Sequence, residues 1–190
     1  MLVKEKFCNV KILHHIFFLN LITSANANYK EKIIDTLKNT NNINFNFEQN
    51  INGKIETGNC IIEYPKKIFC EYDKSNNKIL VSNGKSLVIK TLSSYYKYPI
   101  QRTPLELILD KKFLINKIAI LKERIIDESF INYQILEKDN EINIFFDNQT
   151  FNLVGWQTKD IYQNLNITFI SSVKTNEIID KDLFKLPPQN

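Results

Sequence analysis

The side chains best suited to acid–base catalysis, nucleophile activation or metal binding are confined to one end of this chain. Its two histidines, His14 and His15, sit next to each other near the N-terminus. Histidine titrates near neutral pH and is the commonest metal ligand. Both fall within a stretch that reads as a cleavable export leader. Basic Lys4, Lys6 and Lys11 lead into an apolar run over residues 12–22, and Thr23-Ser24-Ala25-Asn26-Ala27 follows, with small residues where a signal peptidase needs them. The apolar run is shorter than the roughly 20 residues a membrane-spanning helix requires. Cleavage after Ala27 is therefore expected rather than anchoring. Residues 28–190 would then hold no histidine, which excludes Ser-His-Asp and Cys-His nucleophiles and any His-containing zinc site.

Carboxylate chemistry passes this filter. Glu123, Asp127 and Glu128 cluster near the middle of the chain. They make a carboxylate-based hydrolase one alternative, against the plainer reading of a solvated strand and loop. Cys60 and Cys70 are the two cysteines outside the leader, and Cys8 lacks the setting of a lipid-anchored cysteine. The pair flanks Pro65 symmetrically, so a simple hairpin brings them opposite each other. They form either a cross-strand disulfide that staples the hairpin or two buried thiols; in an oxidising compartment we expect the disulfide. Charge is nearly balanced, 25 basic against 21 acidic residues, and Arg102 and Arg124 are the only arginines. That balance argues against a nucleic-acid partner. No glycine-rich phosphate loop occurs, and no cofactor is expected.

The elements that must position these residues are mostly strands. Residues 29–38 read as a short amphipathic helix, with Ile33 and Leu37 on one face and Lys30, Glu31, Lys32 and Asp35 on the other. Period-two alternation then begins at Ile43, Phe45 and Phe47. Asn52-Gly53 and Asn83-Gly84 are hairpin signals, because Asn-Gly supplies the two positive-φ residues of a type I′ turn. Further strands are predicted over residues 54–63, 67–72, 78–82, 85–92, 118–126, 130–136, 142–146, 151–157 and 161–171. Thr103-Pro104 opens a short helix that runs to Leu109. About ten strands with two helices make a mainly β, α+β chain, and no linker divides residues 28–190. An antiparallel sheet of this size should curl, with the helices over its opening and an apolar interior.

Several short motifs appear in a recognisable order. Phe47-Glu48-Gln49 comes first, then Gly58, Tyr64-Pro65 and residues 68–72. Ile79-Leu80-Val81-Ser82-Asn83-Gly84-Lys85-Ser86-Leu87, Tyr98-Pro99 and Thr103-Pro104-Leu105 follow, and the chain closes on Asp182-Leu183-Phe184-Lys185-Leu186-Pro187-Pro188. This order resembles the periplasmic outer-membrane lipoprotein carrier family, the LolA-like proteins. The resemblance implies an incomplete antiparallel β-barrel of ten or eleven strands, closed by a helical lid over a hydrophobic cavity. It also implies a monomeric periplasmic carrier without enzymatic activity. Such a carrier takes lipoproteins by their acyl chains from an inner-membrane ABC-type releasing transporter and passes them to an outer-membrane receptor. A lipid- or peptide-sensing regulatory module of the same fold is the alternative.

On this reading Phe45, Phe47, Ile62, Ile68, Tyr72, Leu87 and Ile89 are the expected cavity residues. Ile33, Leu37, Leu105, Ile108 and Leu109 are the expected lid residues. For each one singly, filling a solid core is the plainer role, as it is for Trp156. Family members commonly carry an arginine just before the proline that corresponds to Pro65, where it bonds the lid backbone. Here that residue is Tyr64, which makes it the candidate lid contact, able to donate one hydrogen bond but carrying no charge.

Overall fold

The computed structural model describes residues 29–74, 76–137, 140–159 and 164–189; the expected leader lies outside them. Helix α1 (Tyr29–Asn39) buries Ile33 and Leu37, one turn apart on one face, as their four-residue spacing requires. Its last carbonyls are satisfied from outside the helix. Lys111 Nζ donates to Lys38 O at 3.3 Å and Thr40 O at 2.7 Å, and Thr40 Oγ1 donates back to Thr36 O.

From there the chain runs up and down through six antiparallel strands, β1 (Asn42–Ile51), β2 (Lys54–Glu63), β3 (Lys67–Tyr72), β4 (Ile79–Asn83), β5 (Ser86–Lys90) and β6 (Tyr95–Pro99). Asn52 and Gly53 both take positive φ between β1 and β2, as a type I′ hairpin demands. The turn at Asn83-Gly84 differs from expectation, because only Gly84 has positive φ. Asn83 instead uses its side chain, accepting hydrogen bonds from the Lys85 and Ser86 amides at 3.0 Å each.

Beyond a 3-10 turn (Ile100–Arg102) come α2 (Leu105–Ile108) and α3 (Lys111–Ile120). Five more strands follow among the described residues: β7 (Arg124–Ile126), β8 (Phe130–Glu137), β9 (Asn140–Asp147), β10 (Leu153–Lys159) and β11 (Leu165–Thr175). All eleven form one antiparallel sheet in the order β6-β5-β4-β3-β2-β1-β11-β10-β9-β8-β7. Strands β6 and β7 are thus its two free edges. The chain that joins them carries α2 and α3, so the helical segment is by topology the bridge across the unclosed seam. The fold is an incomplete barrel.

Two elements depart from the sequence expectation. Residues 118–120 belong to helix α3 rather than to a strand, and α3 is a second inserted helix. Asp110 caps it, accepting from the Phe113 amide at 3.1 Å, and Leu114 and Ile118 are buried beneath it. Strand β6 has no counterpart among the predicted strands. It is an edge strand that ends in proline, where a missing N–H leaves no ladder bond unmade.

One contiguous core lies on the concave side of the sheet. Under α1 and α3 it is filled by Ile131, Tyr133, Ile135, Ile142, Ile144 and Phe146, all 0–1% exposed. The convex side carries a separate small cluster. There the C-terminal 3-10 turn (Lys181–Phe184) lies against β3 and β4, and Phe184, Val81 and Val88 are buried.

Candidate functional site

The interior is not filled throughout. Between α2 and the concave face of β1–β5, β10 and β11 lies a cavity of about 260 Å³. Strand parity builds its wall. Pairing places Gly58 opposite both Phe47 and Tyr72, and Cys60 opposite both Phe45 and Cys70. With no side chain at Gly58, the Phe47 and Tyr72 rings meet over it edge to face, centroids 4.9 Å apart. A Cβ at Gly58 would stand 2.0 Å from Glu71 O and 2.8 Å from Phe47 Cε1. Only glycine lets strands and rings close at this point.

The expected residues divide into two groups. Phe47, Ile68, Tyr72, Leu87 and Ile89 line the cavity, Leu105 and Ile108 of α2 face it from above, and Cys60 and Cys70 form part of the wall, joined to each other as a disulfide. Phe45, Ile62, Ile33, Leu37 and Leu109 do not line it. They are buried in the packed core, 0–3% exposed. Ile33 and Leu37 come from α1, and Phe45, Ile62 and Leu109 join them in the same contiguous core.

Several wall residues were not anticipated. Gln49 and Ile51 continue the alternation of Phe45 and Phe47 along β1, and Leu80 shares its face with the residues across from it. Trp156 also lines the cavity, its ring edge to face with Phe45 at 6.3 Å. For Gln49 and Ile51 the signal was present, since period two simply extends to them. For Trp156 it was not, because the register of β10 against β11 cannot be read from either strand alone.

One end of the cavity is polar. Glu56, its side chain 5% exposed, holds Lys78 Nζ at 2.5 Å and Lys54 Nζ at 2.8 Å. Burial works to raise the Glu56 pKa, but the hydrogen bonds and charges of the two lysines outweigh it and leave the carboxyl below its ordinary value. Lys78 Nζ also lies 3.9 Å from the centroid of the Tyr72 ring. Gln49 Nε2 donates to Thr168 Oγ1 at 3.2 Å, and Tyr72 Oη donates to Gln49 Oε1 at 3.4 Å. Burial first, then the Glu56 charge, pushes the Tyr72 hydroxyl pKa up. Asn166 Oδ1 is buried in this wall with no hydrogen-bond partner.

The lid contact is made by a different residue from the one expected. Tyr64 Oη is buried without a partner, so the phenol bonds no lid carbonyl. Burial pushes its pKa up. Lys66, two residues on, takes the role. Its amide donates to Leu109 O at 2.9 Å, and Nζ reaches Glu106 Oε1 at 3.2 Å and Asp110 Oδ2 at 3.3 Å. Partial burial opposes the Lys66 charge, but the two carboxylates prevail and raise its pKa. One lysine therefore joins the β2–β3 hairpin to both ends of α2.

Asp127 and Glu128 form the turn between β7 and β8, both at positive φ. Neither they nor Glu123 line the cavity. Among the described residues no group of three or more His, Cys, Asp or Glu is placed to hold a metal ion. Among those same residues no helix is long and apolar enough to cross a membrane.

A family model described as "Outer membrane lipoprotein carrier protein LolA" matches residues 38–187. The chain belongs to the LolA family. Solved structures extend the likeness of fold. An uncharacterized conserved protein from Thermus thermophilus superposes with a TM-score of 0.50 at 8% identity, over 83% of this chain and 93% of that one. A LolA superfamily protein from Nitrosomonas europaea gives 0.44 at 7% identity, over 83% and 96%. The Mycobacterium tuberculosis lipoprotein LppX gives 0.43 at 11%, over 80% and 96%. No curated protein sequence matches the chain.

Proposed function

We propose that this protein is an exported, soluble carrier of lipoproteins. It would shield their acyl chains between an inner-membrane ABC-type releasing transporter and an outer-membrane receptor, and it would do no covalent chemistry on them. The observation that carries this reading is the apolar cavity beneath the one-turn helix α2, in a chain of the LolA family. Each methylene buried there would gain about 0.8 kcal/mol, so about ten of them make a firm complex that a moving lid can still release.

The cavity's size adds a constraint. At about 260 Å³ it exceeds the roughly 150 Å³ that holds benzene, yet falls short of the roughly 300–1,000 Å³ of drug-sized pockets. The closed form suits part of one acyl chain. A multiply acylated lipoprotein requires displacement of α2, which the Lys66 ion pairs and the burial of Ile108 and Leu109 oppose. The deciding experiment supplies the mature protein to inner-membrane vesicles with the transporter and ATP. Release of lipoprotein into a soluble one-to-one complex is expected. Retention of all lipoprotein in the vesicles, with the transporter active toward another carrier, would overturn the proposal.

A further inference from the structure

The cavity is apolar at α2 and polar at the opposite end, and the polar end has unspent hydrogen-bonding capacity. Lys78 lines the cavity from the residue just before β4, and its side chain keeps 19% exposure. Its ammonium carries three donors, while its contacts are the Glu56 carboxylate and the Tyr72 ring face. Asn166 offers a buried carbonyl oxygen that nothing among the described residues satisfies. Leaving such an acceptor unmade costs about 1–3 kcal/mol, which a ligand bearing an N–H or O–H would recover. Charge at this end is net positive, because Lys78 and Lys159 line it and Lys54 reaches Glu56 from outside, against the two carboxylates of Glu56 and Glu141.

The geometry points to a head-group subsite at this end, selective for an acyl chain whose head is anionic or carbonyl-bearing and carries an adjacent N–H or O–H. This inference rests on the acyl-cavity reading above and adds orientation and head-group class to it. The tail lies under Leu105 and Ile108, Lys78 donates to the head's acceptor oxygen, and Asn166 accepts from its N–H or O–H. A quaternary ammonium head can satisfy neither partner and is repelled by Lys78.

Trp156 is the chain's one tryptophan and lines the cavity, so its emission reports occupancy directly. The full mature protein is titrated with N-dodecanoylglycine, its N-methyl analogue N-dodecanoylsarcosine, and dodecyltrimethylammonium, each below its micelle concentration. N-dodecanoylglycine is expected to bind at least tenfold tighter than the ammonium amphiphile and severalfold tighter than the N-methyl analogue. Lys78→Arg should keep the first ratio. Lys78→Met combined with Glu56→Gln, which leaves no buried carboxylate short of a partner, should bring it near one, and Asn166→Leu should remove the second ratio. Equal affinity of wild-type protein for the anionic and ammonium probes overturns the subsite alone and needs no variant. Failure of every amphiphile to alter Trp156 emission overturns the acyl cavity and the subsite together.

Discussion

Tyr64 and Lys66 are two residues apart, yet their chemistry is opposite. The Tyr64 hydroxyl is buried without a partner, so its removal leaves no other group unsatisfied. Tyr64→Phe is expected to leave stability within about 0.5 kcal/mol of wild type or to raise it, as read from urea midpoints, with lipoprotein release unchanged. Lys66 holds two carboxylates of the lid segment with all three side chains 19–27% exposed. Pairs this close to the surface contribute about 1 kcal/mol or less each. Lys66→Met should therefore speed hydrogen exchange at Ile108 and Leu109 roughly fivefold while global stability falls only slightly; unchanged exchange would remove Lys66 as the latch. Glu56 sets a pH dependence of known sign. Its folded pKa lies below the ordinary 4.5, so its pairing stabilises the fold above that pH and is lost as pH falls through the lower folded value. The stability difference between wild type and Glu56→Gln should be largest at neutral pH and should close under acid, measured by denaturant titration at several pH values.

At the scale of elements, the β2–β3 hairpin decides how well the cavity wall holds. Cys60 and Cys70 close a loop of sequence separation 10, and losing that constraint should cost about 2–3 kcal/mol. Cys60→Ala with Cys70→Ala tests this by thermal melting, and a melt that does not move would show that the ladder alone holds the strands. Gly58→Ala should cost on the order of 3–4 kcal/mol, because the new methyl meets a backbone carbonyl that cannot swing aside. This hairpin was also the most legible part of the sequence. Alternation and the symmetric placement of the cysteines around Pro65 put Ile62 across from Ile68 and Cys60 across from Cys70, as the register has them. Helix α3 was not legible as a helix, because Ile115, Ile118 and Ile120 carry β-branched side chains that resemble a strand. The better signal was Asp110 as cap, with Leu114 and Ile118 four apart behind it. Strand β6 was hidden between a proline and a serine-rich loop, and only its pairing with β5 makes it a strand. The division of buried residues between core and cavity had no local signal at all. Phe45 and Phe47 share a strand face, yet Phe47 lines the cavity and Phe45 does not.

That division is a property of the whole molecule. Fully buried side chains fill the β8–β9 side, and the cavity lies against β1–β5 beneath the one-turn α2. A packed half can serve as a rigid frame while the hollow half yields to cargo, and the stability cost of truncation should differ between them. Ile144 is fully buried in the packed half, and Ile144→Ala removes contacts on all sides, so the expected loss is about 3–4 kcal/mol. Leu80 borders the cavity, where part of its surface already faces empty space and makes no dispersion contact. Leu80→Ala should therefore cost about half as much. Binding should show the reverse order. Leu80→Ala enlarges the cavity and should change the affinity for a dodecanoyl chain, whereas Ile144→Ala, measured where the protein is still folded, should not. Equal stability losses, with affinity insensitive to Leu80, would mean that the two halves are packed alike and that the protein has no preformed place for a chain.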